Sequence, residues 1–312
     1  MTGSKLDDLF ARRLLLVTGK GGVGKTTVSA ALARVAAATG KRVLAAEISY
    51  TSPPSEEEGV TLTSPLAGAL GVPPLVDEPR HVEGHLYAAR LSPLAGHLAF
   101  LRDTLPVAFL ADAAMRSAAV RRFFHAAPTL AELGIVYRLL HLLKETHAGA
   151  PRWQLVVCDL PATGHALALA QVPQTLASVL RAGPIHAAAQ EGLRLLRDRT
   201  QTTCVLVSLP DPLPVSEAVE LHDGLRKLTI DCARVVLNRV PPNPFTPEER
   251  AAVMRIVTDR VRTLGARRLP RIDRAEAAYA RLARELRLPV SAVQEADDDA
   301  VTHVARELGG AA

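Results

Sequence analysis

The chain has 312 residues, of which 48% are hydrophobic and 22% are charged, the composition of a globular protein with a full core. Its formal net charge is +5, but 37 basic residues face 32 acidic ones without a dense run of Lys or Arg, which argues against a nucleic-acid partner. Residues 1–13 lack the apolar stretch of a signal peptide, and no apolar run approaches the roughly 18 residues of a membrane span.

The three cysteines, Cys158, Cys204 and Cys232, lie far apart and form no CxxC pair. They therefore indicate neither a disulfide framework nor a sequence-local metal site. A reducing compartment suits such thiols best. We expect a soluble cytoplasmic protein, a class that includes proteins acting at the periphery of a membrane.

Short apolar runs alternate with longer helical patterns along the chain, which is typical of βαβ units. Strands are predicted at 13–17, 42–48, 154–159, 203–208, 234–237 and 268–272. Helices are predicted at 25–39, 165–180, 186–199, 216–227 and 247–264. The first and third strands are apolar without alternation, as in parallel strands that are covered on both faces. The pattern predicts an α/β fold with a mostly parallel, doubly wound sheet.

One stretch interrupts this alternation, because more than a hundred residues separate the second and third predicted strands. Residues 47–79 are rich in Pro, Ser, Gly and Glu and indicate a loop with short turns. Residues 92–146 indicate several amphipathic helices, broken at Pro106 and Pro128. We predict one domain over 1–312, with a helical insert at about 92–147 rather than a second sheet domain.

The strongest motif follows the first predicted strand and opens the first predicted helix: it reads Gly19-Lys20-Gly21-Gly22-Val23-Gly24-Lys25-Thr26-Thr27. It satisfies the P-loop pattern in the strand–loop–helix context that this pattern requires. Its glycines allow backbone N–H groups to close around phosphate oxygens, and the following helix directs its positive end at the same anion. We expect all nine residues to bind nucleotide.

Two side chains of the loop have specific expected roles. Lys25 should reach the β- and γ-phosphates, and the Thr26 hydroxyl should ligate Mg²⁺. The chain has only six lysines, two of them in this loop, where the fork of an arginine would not replace a compact ammonium. The sequence therefore predicts a P-loop NTPase with Mg·ATP as its ligand.

An aspartate closes the third predicted strand. Val156-Val157-Cys158 delivers Asp159 at the carboxyl end, which is the Walker B arrangement, and Asp159 should lie near Mg²⁺ through water. An Asp at a strand end is often only a turn former, but here it accompanies a P-loop.

The second lysine of the loop, Lys20, makes it resemble the deviant Walker A motif of the MinD/ParA/ArsA superfamily. In those proteins the equivalent lysine contacts nucleotide across a dimer interface. The resemblance implies an ATP-dependent dimer, either a homodimer or a heterodimer with a related ATPase.

Further segments are similar to the ArsA-type ATPases, which include arsenite-pump ATPases and ATPases that target tail-anchored membrane proteins. The segments are 161–165 (Pro-Ala-Thr-Gly-His), 213–218, 236–240 and 126–133 within a resemblance that spans about 12–285. The resemblance implies that Gly164 senses the γ-phosphate through its amide and that Asn238 contacts adenine. It also implies catalysis by Lys20, Lys25 and Gly164.

The match fails at the second predicted strand. Family members carry there an Asp that positions the attacking water, and this chain has Ser49 instead. Glu47 lies two residues earlier and should face the same way on a strand, so it is a candidate replacement, although relatives that have both acids argue for another task. We expect slow hydrolysis, or none without a partner.

Two other family features are missing. The tail-anchor branch uses a CxxC pair for zinc, and arsenite pumps use clustered cysteines, whereas all three cysteines here have the surroundings of small core residues. An arsenite role is therefore not expected.

The predicted insert is rich in apolar side chains, with four of the chain's six phenylalanines. Its large hydrophobic residues include Phe100, Leu101, Leu105, Phe109, Leu110, Met115, Phe123, Phe124, Leu130 and Leu133. One interpretation is an ATP-gated groove for a hydrophobic client helix or a membrane-protein partner. The other is that these side chains pack the insert against the sheet.

Three functions remain as hypotheses. The first is a dimeric Mg·ATP-driven conformational switch that hydrolyses ATP to ADP and phosphate. The second is a catalytically degenerate, nucleotide-binding regulatory subunit, which Ser49 would explain. The third is a ParA/MinD-like positioning ATPase, disfavoured by the Pro161–His165 segment and by the absence of a basic run.

Overall fold

A mostly parallel sheet forms the centre of the protein in a computed structural model, which describes residues 6–50, 63–105, 107–120, 122, 128–256, 264–296 and 299–309. Its eight strands in the described part follow the order β10-β9-β8-β1-β7-β2-β4-β3. All neighbouring strands are parallel except β3 and β4. The strands are β1 (Leu14–Gly19), β2 (Val43–Ile48), β3 (Arg80–Glu83), β4 (Leu86–Leu91), β7 (Leu155–Asp159), β8 (Thr202–Ser208), β9 (Cys232–Val240) and β10 (Val290–Gln294), while β5 (Thr146–His147) and β6 (Ala150–Pro151) form a separate small hairpin.

Helices connect the strands and cover both faces of the sheet. In chain order they are α1 (Asp7–Phe10), α2 (Lys25–Ala38), α3 (Pro65–Leu70), α4 (Pro93–Thr104), α5 (Ala108–Arg116), α6 (Pro128–Lys144), α7 (Thr163–Val179), α8 (Pro184–Arg197), α9 (Pro212–Lys227), α10 (Pro247–Ile256), α11 (Leu264–Leu286) and α12 (Ala300–Gly309). None of these described helices is long and apolar enough to cross a bilayer.

The alternation of side chains along β1 shows why both faces are covered. Leu14 and Leu16 belong to a core formed with α6–α9 and α11. Leu15 and Val17 point to the other face and belong to a core formed with α1, α2, α3 and α12. Because successive side chains of a strand point to opposite faces, an uninterrupted apolar strand needs cover on both sides. This confirms the predicted doubly wound α/β fold.

The predicted strand at 268–272 is wrong, because these residues lie inside α11. The buried side chains there are Leu269, Ile272 and Ala275. Ala278 and Leu282 are buried too, and intervals of three and four residues place all five side chains on one stripe of a helix. The cluster at 268–272 alone is too short to show the helical period, which becomes visible only over the whole of α11. The last strand of the described sheet is instead β10.

A second difference lies between β2 and β7. The sequence analysis assigned no strand there, but β4 pairs with β2 over its whole length, from Val43 with Leu86 to Ile48 with Leu91. The crossover is therefore divided into two parts. The segment before β4 contains α3, and the segment after it contains α4, α5 and α6. The helices predicted in 92–146 are present, with a helix beginning at Pro128, whereas Pro106 lies outside the described residues.

Two glycines allow α4 and α6 to pack at close distance. A β-carbon at Gly96 would overlap the carbonyl oxygen of Gly134, and one at Gly134 would lie 2.7 Å from the carbonyl oxygen of Pro93. Next to this contact, the His97 ring makes a hydrogen bond of 2.7 Å with the carbonyl oxygen of Leu130. The helix pair therefore depends on the absence of side chains at this contact.

Gly96→Ala should lower the free energy of unfolding by about 2 kcal/mol, because an added methyl group forces the two backbones apart. Gly68→Ala is the matched control: Gly68 also lies in a helix, but its β-carbon would meet no atom within 4 Å. That control should gain about 0.5 kcal/mol from reduced backbone entropy. Urea denaturation of both variants measures the difference, and equal midpoints would refute the close contact.

Candidate functional site

The loop between β1 and α2 contains two residues in the left-handed backbone region that favours glycine. They are Gly22, with φ of 82°, and Gly24, with φ of 92°. Gly24 is the N-cap of α2, and a β-carbon there would overlap the side-chain amide of Asn238. Two independent constraints, backbone conformation and lack of space, therefore require glycine at this position. Val23 is buried in the core, so only its backbone is free to face a ligand.

Lys25 opens α2 and folds back over the loop. Its Nζ donates a 2.8 Å hydrogen bond to the carbonyl oxygen of Lys20. Burial lowers the pKa of Lys25, and the nearby Asp159 carboxylate partly offsets this effect. An ammonium in this position gains a strong electrostatic partner when an anion enters the loop.

Asp159 lies at the carboxyl end of β7, where it is only 8% exposed. Its Oδ2 accepts a 2.7 Å hydrogen bond from the Thr26 hydroxyl, and its Oδ1 accepts a 3.0 Å bond from the Ser29 hydroxyl. Burial raises the pKa of Asp159, while these two hydrogen bonds and Lys25 act against the rise. The sequence analysis missed Ser29, although a residue three positions after Thr26 on a helix shares its face.

The donor set at this point fits a magnesium ion. Thr26 and Asp159 offer hard oxygen atoms, which Mg²⁺ prefers, and this ion usually takes its other ligands from water and substrate phosphates. Throughout the described ranges, no group of three or more His, Cys, Asp or Glu side chains could hold a metal ion. The oxygen pair beside the phosphate loop suits a metal that arrives with a nucleotide.

Glu47 lies beside Asp159, because β2 and β7 pair these two residues directly. The Glu47 carboxylate is engaged on both oxygens: it accepts a hydrogen bond from the Ser64 hydroxyl, and another, of 3.3 Å, from the amide of Leu66. Burial is the main cause of its raised pKa. Glu47 thus holds the start of α3 in this conformation. Ser49 follows β2 and donates its backbone N–H to the carbonyl oxygen of Leu91 at 3.1 Å.

Lys20 is paired within its own chain. Its ammonium forms a salt bridge with Glu217 on α9. In the sequence, Glu217 stands out only as part of segment 213–218 of the family resemblance, which does not connect it with the phosphate loop. No local signal could have made this connection, because 197 residues separate the two side chains.

Asn238 connects the end of β9 to the phosphate loop. Its Nδ2 donates a 2.9 Å hydrogen bond to the carbonyl oxygen of Val23, and its Oδ1 accepts a 3.0 Å bond from the amide of Arg239. An amide side chain has two donors and two acceptor positions, so one of each remains. Asn238 borders a cavity of about 250 Å³, which is also lined by Thr27, Arg239, Gln294, Glu295, Ala296, Ala300, His303 and Val304.

These elements meet at the carboxyl edge of the sheet, where ligands bind in open α/β folds. The residues that come together there are Lys20, Lys25, Thr26, Thr27, Asp159 and Asn238, on the loop and at the ends of β7 and β9. Gly19 ends β1, and Gly21 lies exposed in the loop. Gly164 lies in the first turn of α7, shortly after β7.

The three cysteines are core residues. Cys158, Cys204 and Cys232 are free and buried there, as predicted.

The apolar residues of the insert differ in exposure. Met115, Leu130 and Leu133 are buried, but Phe109 is 67% exposed on α5. Phe123 and Phe124 lie outside the described residues. The predicted client groove stays a prediction, with α5 as its exposed apolar element.

Comparison with known proteins agrees with this geometry. Residues 14–284 match the CobQ/CobB/MinD/ParA nucleotide binding domain family. ATPase BagA of Mycobacterium tuberculosis is 29% identical over 258 residues, which cover 80% of this chain and 72% of that protein. The ATPase ASNA1 homolog of Trypanosoma cruzi is 27% identical over 288 residues, covering 77% of this chain and 78% of the homolog.

The Arsenical pump-driving ATPase of Escherichia coli is 25% identical over 263 residues, which cover 79% of this chain but only 42% of the longer bacterial protein. The family match begins at β1 and ends in α11, so it includes the phosphate loop, Asp159 and Asn238. The chain therefore belongs to the CobQ/CobB/MinD/ParA nucleotide-binding domain family, and the names of these relatives agree with the ArsA-type resemblance predicted from the sequence.

Proposed function

We propose that this protein is an ATPase that binds Mg·ATP at the loop between β1 and α2 and uses it as a conformational switch. The observation that carries the proposal is the pairing of Thr26 with Asp159 at the head of α2. It brings the two oxygen groups of a P-loop magnesium site together beside the phosphate loop. The names of the relatives, which include several ATPases, support the same activity.

The phosphates would bind where backbone N–H groups and the N-terminus of α2 converge. Lys25 would exchange its bond with the Lys20 carbonyl oxygen for the β- and γ-phosphates, which offer a full negative charge. Thr26 and Asp159 would hold Mg²⁺, directly and through water respectively, and the ion would neutralise charge that develops on the phosphates. Gly164, at the start of α7, would respond to the γ-phosphate through its amide.

The cavity beside Thr27 and Asn238 would accept the base. The free donor and acceptor of the Asn238 amide match the acceptor and donor that adenine presents at N7 and N6. Guanine presents two acceptors at the same edge, so the Oδ1 of Asn238, itself an acceptor, would face one of them without a hydrogen. This complementarity supports ATP rather than GTP as the ligand.

The residues at the end of β2 support slow hydrolysis. Ser49 cannot act as a carboxylate base, and both oxygens of Glu47 are already hydrogen-bonded to the start of α3. A water molecule would therefore lack a free carboxylate from β2. The same observation favours a second candidate, a nucleotide-binding regulatory subunit that barely hydrolyses ATP and acts in a dimer with a related ATPase.

The pairing of Lys20 with Glu217 bears on dimer formation. A lysine that contacts nucleotide in a partner subunit must first leave its own carboxylate. The salt bridge would thus hold the protein in a monomeric state until ATP and a partner compete for Lys20. Nucleotide chemistry and three buried cysteines without a disulfide bond fit a reducing, cytoplasmic compartment.

Lys25→Ala should lower ATP affinity at least about tenfold and reduce any turnover about 100-fold, because the main cationic contact to the phosphates is lost. Lys144→Ala is the control, since Lys144 is an exposed lysine that pairs with Glu191. Calorimetric binding and phosphate release measure the two quantities. Binding that depends on Lys25 without turnover identifies the regulatory subunit, whereas ATP binding that survives Lys25→Ala refutes the proposed site.

Asp159→Asn should raise the melting temperature of the nucleotide-free protein by about 2 °C. This is the shift expected when the free energy of unfolding of a chain of this size rises by ~1 kcal/mol. The raised pKa means that ionising this buried carboxylate costs stability as the pH rises, so at neutral pH a neutral amide is favoured. The variant should lose the part of ATP affinity that depends on Mg²⁺. Asp112→Asn, at a partly exposed position of α5 where Asp112 pairs with Arg102, should change neither quantity measurably, because surface ion pairs contribute little. A lower melting temperature for Asp159→Asn would contradict the prediction.

Glu217→Gln should increase the fraction of dimer at a given ATP concentration by about threefold or more, because it removes an ion pair that competes with the dimer. Glu220→Gln is the control on the same helix, at an exposed position. Sedimentation velocity with and without ATP measures the fraction. If both variants dimerise equally, the pair with Lys20 does not restrain assembly.

A further inference from the structure

One arginine stands between two cavities at the carboxyl edge of the sheet. Arg239 directly follows Asn238 and lines the 250 Å³ cavity beside Thr27. It also lines a second cavity of about 190 Å³, which is bordered by Asp211, Arg271, Arg274 and Glu295 among others. Arg239 therefore borders two separate spaces, one of which adjoins the phosphate loop at Thr27.

The backbone of Arg239 is held in an unfavourable conformation. Its φ is 55°, a left-handed value that is uncommon for residues other than glycine and costs free energy. The amide of Arg239 donates to Asn238, which in turn donates to the carbonyl oxygen of Val23. The phosphate loop thus fixes the position from which the Arg239 side chain extends. Strain maintained by a surrounding network is a reason to look for a function.

The neighbouring charges distinguish Arg239 from the other two arginines of the second cavity. Arg271 is paired with Glu295 at 2.8 Å, and Arg274 lies 3.6 Å from Asp211. The Arg239 guanidinium, by contrast, makes no hydrogen bond or ion pair to another of the residues that the structure describes, and it is exposed. It is the cation of this group that can move to a ligand without breaking an existing pair.

We infer that Arg239 contacts the base of the bound nucleotide by stacking its guanidinium on a purine ring in the cavity beside Thr27 and Asn238. This inference rests on the proposed function. A planar guanidinium stacks on aromatic faces, whereas an ammonium does so less well. Asn238 would read the edge of the ring and Arg239 would cover its face, so adjacent residues would determine the orientation of the base.

The test compares a ligand that has a base with one that lacks it. ADP and inorganic pyrophosphate both bring two phosphates, but only ADP has a purine to stack on. Their affinities are measured by titration calorimetry with Mg²⁺, for the unmodified protein and for Arg239→Ala and Arg239→Lys. Arg287→Ala is the matched control, because Arg287 is exposed, has the same φ of 55° and lines neither cavity.

Arg239→Ala should weaken ADP binding about tenfold and pyrophosphate binding less than twofold, since stacking acts on the base alone. Arg239→Lys should recover only part of the ADP affinity, and Arg287→Ala should retain all of it. Retained pyrophosphate affinity also shows that the variant is folded.

Two results would overturn the inference while leaving the proposed function intact. One is unchanged ADP affinity in Arg239→Ala. The other is an equal loss for ADP and pyrophosphate in both Arg239 variants, which would make Arg239 a contact to phosphate or a structural residue. If the unmodified protein binds neither ligand, the proposed function itself fails, and the inference fails with it.

Discussion

The hydrogen bond from Asn238 to the carbonyl oxygen of Val23 is the interaction on which the site depends. It fastens the phosphate loop to the end of β9, across the width of β8 and β1. Because the Asn238 amide occupies the space above Gly24, the loop can have no side chain there. The same amide accepts the N–H of Arg239 and so maintains its left-handed backbone. The phosphate loop and the proposed base cavity are thereby joined through one side chain.

The free-energy cost of burying charged groups is the second constraint on the site. Asp159 and Glu47 lie side by side on neighbouring strands, and burial raises the pKa of both carboxyl groups. Burial also lowers the pKa of Lys25. Each shift means that the charged form is less favourable here than in water. Such buried groups gain more binding free energy from a charged ligand than solvated groups would, but they lower the stability of the protein without ligand.

Two side chains with existing partners support the proposed conformational switch. Lys20 is paired with Glu217, and Glu47 is bonded to the start of α3. Both pairings would have to be exchanged for the contacts with a nucleotide or a second subunit that the proposed function requires. A ligand that offers better partners to these groups would shift the equilibrium between two arrangements of the same side chains. Under this view, α9 and α3 are the elements that respond to the state of the site.

Local sequence patterns predicted the parts of the protein that are specified by consecutive residues. The phosphate loop is nine consecutive residues with a fixed conformation, and Asp159 ends an apolar strand, so both could be recognised without knowledge of the remaining chain. The doubly wound sheet followed in the same way from uninterrupted apolar strands such as β1. The strand predicted at 268–272 was wrong because a short window cannot distinguish a helical stripe from a strand. β4 was missed because its residues lie between the predicted loop at 47–79 and the predicted helices at 92–146.

The sequence by itself therefore determined the fold class, the phosphate loop and the family, since backbone conformation and side-chain period are local properties. Only the tertiary structure decided the partners of the loop: Ser29 on Asp159, Glu217 on Lys20, and Asn238 on Val23. It also decided that Glu47 is occupied and that Arg239 faces two cavities. These facts depend on which strands are neighbours and which side chains reach across the sheet, and residues far apart in the chain carry no local signal of that proximity.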